Sequence, residues 1–255
     1  MGIVHVVTVG TSIVRNALQL GLPPDAAAVV RAWASALPGS PEDVEAGERA
    51  SPGQPEFQAL YEVLSRDPRR VSAELNAMWG YLEGGEVSRA ELLASDSGVS
   101  ELCAKLLGEY LRRAWGVEAA VHRVPQLGRS FEEGLYNLLD ALASLVRLHR
   151  SRGSRVYLNL TGGFKPEAAA AYVAACVLGA DRVYYIHEAM REVVELPVPP
   201  LSLDPAYAGA LKALHRGLAV PDRVAGELRA RGLALSYGRE LRLRRWVEVI
   251  VREAA

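Results

Sequence analysis

Four short apolar runs, each followed by a long helical pattern, constrain this chain most. They are IVHVVTV (3–9), RAELLAS (89–95), AAVHRVP (119–125) and RVYLNL (155–160). Each is short and rich in β-branched or aliphatic residues, as a strand buried on both faces must be. Between them the spacing predicts helices: 12–37 with a break near Gly21-Leu22-Pro23-Pro24, then 57–66, 68–82, 98–115, 130–150 and 165–180. Leu135, Leu138, Leu139, Leu142, Leu145 and Leu148 recur at helical spacing and read as core. DRVYYIHE (181–188) and EVVELPV (192–198) add two more strands. Strands alternating with crossover helices predict an α/β fold, a mostly parallel sheet with helices on both faces.

Two stretches fall outside that alternation. Residues 38–56 hold four prolines and three glycines and predict an exposed excursion. Pro197, Pro199 and Pro200 mark an expected boundary between a domain at 1–200 and a smaller one at 201–255. In the latter, two helical patterns precede a hairpin in which Gly232 and Gly238 bracket LALSY, the outline of a winged helix.

A net charge of −1 gives no global reason to bind nucleic acid. Residues 204–255 carry ten Lys/Arg against six Asp/Glu, so any DNA contact falls there. Cys103 and Cys176 stand apart in apolar helical settings, and the five histidines show no zinc spacing. No apolar run reaches membrane length, and the N-terminus reads as a strand rather than a signal helix, so a cytoplasmic protein is expected. Few Asn, Met and Cys suit a thermophile.

Composition then points to two strand ends. The chain has three lysines among 29 basic residues, and three threonines, Thr8, Thr11 and Thr161. Two of its four asparagines, Asn16 and Asn159, lie in the same two places, VTVGTSIVRN and NLTGGFK. Turn preference alone would favour Asn, Thr and Gly there. In a parallel sheet, however, ligands sit beyond the carboxyl ends of strands, where strand order switches. Each of these turns opens a helix, whose first N–H groups and dipole favour an anion. With Lys165 beside Gly162-Gly163, the expected ligand carries phosphate. Neither GxxxxGK[ST] nor GxGxxG occurs after the first strand. Taken alone, Ser12 is also an ordinary N-cap and Lys165 an ordinary phosphate clamp.

VGTSIVRNA, VYLNLTGGFKPEAAAA and SAELNAMW (72–79), with a small C-terminal helical domain, resemble the CRISPR-associated Rossmann-fold (CARF) family. Within it they resemble the archaeal ring nucleases of type III CRISPR systems. The resemblance implies a Rossmann-like homodimer that binds cyclic oligoadenylate, such as cyclic tetra-adenylate, across its two-fold axis. It implies metal-independent cleavage of the ring to linear adenylates ending in a 2′,3′-cyclic phosphate, with no cofactor. By position it implies Ser12 and Lys165 as the active-site pair, lined by Gly10, Thr11, Asn16, Thr161, Gly162, Gly163 and Phe164. Arg129 lies at another strand-to-helix turn and could reach an adenylate phosphate, though plain solvent exposure explains it as well. Arg182 and His187 match the R-x4-H spacing of HEPN ribonucleases, but positions five apart on a strand face opposite ways. The competing expectations are a cyclic-oligoadenylate-responsive DNA-binding regulator acting through 204–255, and a module that binds the ring without cutting it.

Overall fold

The computed structural model describes residues 2–187, 192–238 and 240–254. Strands β1 (Ile3–Val9), β2 (Arg89–Ala94), β3 (Glu118–Arg123), β4 (Arg155–Asn159), β5 (Arg182–Ile186) and β6 (Val193–Leu196) form one sheet in the order β3-β2-β1-β4-β5-β6. The first five are parallel and β6 runs antiparallel to β5. The fold is α/β and Rossmann-like.

Alternation along each strand divides the core in two. Val7 and Val9 of β1, Leu92 of β2 and Tyr157 of β4 pack with α1 (Ser12–Leu20), α4 (Pro55–Arg66), α6 (Ala73–Glu83) and α7 (Gly98–Trp115). Val6, Leu93, Val156 and Leu158 point the other way, against α8 (Phe131–Ser151) and α9 (Lys165–Leu178). Both faces are therefore buried, which is why the strands read as near-continuous apolar runs. Leu148 departs from the predicted leucine stripe. It is 40 % exposed, because the buried face of α8 ends on Val146 and His149.

Residues 38–56 are not an exposed excursion throughout. They contain α3 (Pro41–Glu48), which buries Asp43 and Ala46 against α7. The Asp43 carboxylate accepts from Gly39 N–H (2.8 Å), Ser97 Oγ–H (2.6 Å) and Val99 N–H (3.0 Å), so it caps α7 from another element. At Gly98, a Cβ would lie 1.8 Å from the Asp43 carbonyl oxygen, and only glycine lets the two helices meet. The predicted helix over 68–82 also splits. Ser72 is extended and its hydroxyl accepts from Leu75 N–H, which separates α5 (Pro68–Val71) from α6.

Beyond β6 come α10 (Pro205–His215), α11 (Asp222–Ala230), the hairpin of β7 (Ala234–Tyr237) and β8 (Glu240–Leu243), and α12 (Arg245–Glu253). They share a third apolar cluster built on Leu211, Leu214, Leu228, Leu243, Val247 and Val251. Val249 of α12 belongs instead to the cluster under α8 and α9. The strand expected over 181–188 ends at Ile186, and Glu188 lies outside the described residues. Arg182 of the R-x4-H match is on β5, with its guanidinium on Glu195 and over the Tyr157 ring. No described helix is long and apolar enough to cross a membrane.

His5 on β1 is a titratable group buried in the sheet. His5 is fully enclosed among Tyr81, Tyr157 and Tyr184. Its Nε2–H donates to the Glu86 carbonyl (3.1 Å) and its Nδ1 accepts from Tyr184 Oη–H (2.6 Å). Burial lowers its pKa from 6.5 to about 4, against the opposing pull of that carbonyl. Below pH 6.5 the unfolded chain then binds a proton that the folded chain refuses. Stability is lost as pH falls from 6.5 toward 4, by about 3 kcal/mol in full. Urea unfolding at pH 7 and pH 5 should show a steeper loss for wild type than for His5→Gln. Equal losses would mean that His5 is not held neutral.

Candidate functional site at the switch point

Strand order reverses between β1 and β4, the position where open parallel sheets bind ligands. The turns after these two strands are wired together. Gly162 N–H donates to the Thr8 carbonyl (3.2 Å), and Thr8 Oγ1–H donates back to the Gly162 carbonyl (2.7 Å). A Cβ on Gly162 would lie 2.4 Å from both Gly10 N and Thr8 O. The close approach anticipated for the glycine turn thus falls at Gly162. Gly163 has φ +97°, which glycine adopts without strain.

The scarce Asn and Thr residues make up most of this wiring. Asn159, fully buried, donates from Nδ2 to the Glu74 carbonyl (3.1 Å). Its Oδ1 accepts from Thr161 N–H (3.2 Å) and Thr161 Oγ1–H (2.5 Å). Thr161 Oγ1 in turn accepts from Ile186 N–H (3.2 Å). Asn16 donates to the Val71 carbonyl (3.1 Å). Thr161 Oγ1 is thus taken up within the fold, and Asn16 commits one N–H of its amide to backbone.

Glu74, at the start of α6, was not singled out from the sequence. It is 1 % exposed, and its carboxylate fills the turn after β1. Oε1 accepts from Gly10 N–H (2.9 Å), and Oε2 accepts from Ser12 Oγ–H (3.0 Å) and Ser72 Oγ–H (2.8 Å). A glutamate in the first turn of a helix normally reads as a complement to the dipole, which hid it. The available signal was its place amid Leu75, Ala77 and Met78, on a face that had to be buried.

What remains facing outward is small and cationic. Lys165 is exposed at the first position of α9, and among the described residues nothing pairs with its ammonium. Phe164 beside it is 69 % exposed. The Phe164 N–H is taken by Glu167 (2.9 Å), whose carboxyl is pushed up by burial. The N–H groups of Thr11, Ser12 and Gly163 have no partner among the described residues. Open donors at the starts of α1 and α9, with a cation beside them, are the groups an anion needs. Arg129 is not part of this group. Its Nε–H donates to the Asp96 carbonyl (2.7 Å) beyond the end of β2, and its guanidinium covers Gly39. A cleft of about 720 Å³ lies elsewhere, between the α1–α2 turn and α4 (α2, Pro24–Ala34).

Replacing Gly162 by Ala forces backbone atoms of the two turns apart, and overpacking of this kind costs about 1–3 kcal/mol. The melting temperature should fall by about 2–4 °C per kcal/mol in a chain of this size. Gly10→Ala, whose added carbon meets its nearest neighbour at 3.5 Å, should lose much less. Calorimetric melting of both variants checks the ranking, and equal losses would remove the special role of Gly162.

A protein-family model described as CRISPR-associated protein (Cas_APE2256) matches residues 69–199. The match spans α6 with Glu74, β4, the Thr161–Phe164 turn and Lys165, and it covers just over half of the 255 residues. With the strand order and the paired turns at its switch point, this places the chain in the CRISPR-associated, CARF-type family that the model describes.

Proposed function

We propose that the protein is a ring nuclease: it binds a cyclic oligoadenylate, cyclic tetra-adenylate first among them, and opens it without metal, so ending the signal of a type III CRISPR system. The observation that carries this is Lys165, an exposed cation without a partner among the described residues, beside the open Gly163 N–H at the switch point. In RNA the nucleophile comes with the substrate, as the ribose 2′-OH. Its oxygen attacks the adjacent phosphorus and the bond to the 5′-oxygen breaks. The proton lost by the 2′-OH is balanced by one gained at the 5′-oxygen, leaving a 2′,3′-cyclic phosphate and a 5′-OH. The protein has to hold the three centres in line and stabilise charge growing on the phosphoryl oxygens. Lys165 and the open N–H groups suit the second task.

The regulator reading needs free cations in the C-terminal segment, and half of its ten basic residues are already paired. Arg244 pairs with Glu132 (2.8 Å), Arg245 with Glu133 (2.5 Å) and Arg252 with Asp140 (2.7 Å), all on α8. Arg223 and Arg242 pair within the segment, with Glu227 and Glu240. Charges already answered by carboxylates release few counterions on DNA.

Lys165→Ala should slow single-turnover cleavage of cyclic tetra-adenylate by about 10²- to 10³-fold, the worth of one transition-state donor. Affinity should fall far less, because the N–H groups share the ground-state phosphate. EDTA should leave both values unchanged. Wild type that binds the ring and never cuts it would reduce Lys165 to a clamp and favour the non-catalytic module.

A ring with internal two-fold symmetry is matched most simply by two copies of the turn pair. Light scattering should therefore report a dimer, both free and with the ring. A monomer under both conditions would overturn the two-fold site.

A further inference from the structure

The donors around Glu74 restrict what Ser12 can do. A carboxylate only accepts hydrogen bonds, and a hydroxyl has one hydrogen and two lone pairs. The Ser12 hydrogen is directed at Glu74 Oε2 (3.0 Å), and Ala73 N–H occupies one lone pair of Oγ (3.3 Å). One lone pair is left for a ligand. In this arrangement Ser12 cannot donate to a phosphate oxygen and can only accept. Gly10 N–H is likewise held by Oε1 and closed to phosphate, whereas the Thr11, Ser12 and Gly163 N–H groups have no partner among the described residues.

A ring of adenylates offers two kinds of donor, the ribose 2′-OH and the adenine amino group. Of these the 2′-OH lies next to the phosphate. We infer that Glu74 is a positioning residue: it holds Ser12 as an acceptor, so that Ser12 takes the hydrogen bond of the attacking 2′-OH and turns that oxygen's lone pair toward phosphorus. This rests on the ring-nuclease reading above. Glu74 has further hold on the site, because its own carbonyl takes the amide of Asn159 and so anchors the turn that carries Lys165.

Glu74→Gln tests it. Gly10 N–H cannot rotate, so the new amide keeps its oxygen there and presents NH₂ to Ser12 and Ser72, whose hydroxyls must turn their hydrogens away. Ser12 then faces the ligand as a donor. Single-turnover cleavage of cyclic tetra-adenylate should slow by about 10- to 100-fold, the scale of a misaligned reacting group. Affinity should stay within about threefold, and in a Ser12→Ala background Glu74→Gln should slow cleavage no further. A merely structural glutamate would lower affinity and rate together. Wild type that does not cut the ring overturns both this inference and the function it rests on. Wild type that cuts, with Glu74→Gln equally fast, overturns this inference alone. A second comparison does not depend on that variant folding. By calorimetry, Ser12→Ala should weaken the ribose ring by about 5- to 10-fold, the worth of one hydrogen bond, and leave the all-2′-deoxy ring unchanged. Equal losses for the two rings put Ser12 on phosphate or base and overturn the proposal.

Discussion

The backbone clamp between the ends of β1 and β4 is the contact on which the site depends. Thr8 and Gly162 exchange two hydrogen bonds, and no side chain fits between Gly162 and the β1 turn. β1 and β4 are neighbours only because strand order reverses there, and parallel pairing alone would let their turns diverge past Val7 and Asn159, the last paired residues. The clamp continues the pairing beyond the ladder. It brings the turns that open α1 and α9 to one place, where the positive ends of the two helix dipoles lie side by side.

A division of labour follows. Groups turned inward are neutral donors and acceptors spent on one another: Thr8, Asn159, Thr161 and Ser72. Glu74 is the exception, a buried charge held by three donors rather than by a cation. Burying a carboxylate is costly unless several hydrogen bonds replace its water. Removing any one of those donors would leave the charge short of partners. The β1 turn is therefore rigid for electrostatic as well as steric reasons. The outward face, by contrast, keeps Lys165 and a few N–H groups open to solvent, where a phosphate can replace water at little cost.

The sheet and its crossover helices were legible because buried parallel strands leave a signal in every residue, and the limits of β1 and α7 follow directly from Gly10, Ser97 and Gly116. The two turns were legible because their scarce residue types stood out against an Arg-rich, Thr-poor background. What stayed hidden depends on contacts distant in sequence. Nothing local to residues 38–56 shows that Asp43 will cap α7, since its partners Ser97 and Val99 lie more than fifty residues on. Glu74 is 64 residues from Gly10 for the same reason. Periodicity says which face of a helix is buried, and says nothing of which buried carboxylate an orphan N–H elsewhere will need. Thr161 and Asn16 show the converse limit. Their residue types fit a ligand site, yet Thr161 Oγ1 and one N–H of Asn16 also serve the fold's own hydrogen bonds.

The C-terminal segment follows the same logic at larger scale. Proline-rich residues 197–200 look like a hinge, and a segment on a hinge should move freely. Yet α12 gives Val247 and Val251 to one apolar cluster and Val249 to the other, so it cannot leave α8 without opening both. Trp246 packs against the two clusters together. The arginines along its edge meet acids of α8, and Arg245 also covers the Tyr136 ring at 4.5 Å. Exposed pairs like these are individually weak. The apolar burial fixes the helix and the charges set its register. Part of the segment's basic surplus, which by composition alone points toward nucleic acid, is thus the complement of three acids on a helix of the same chain.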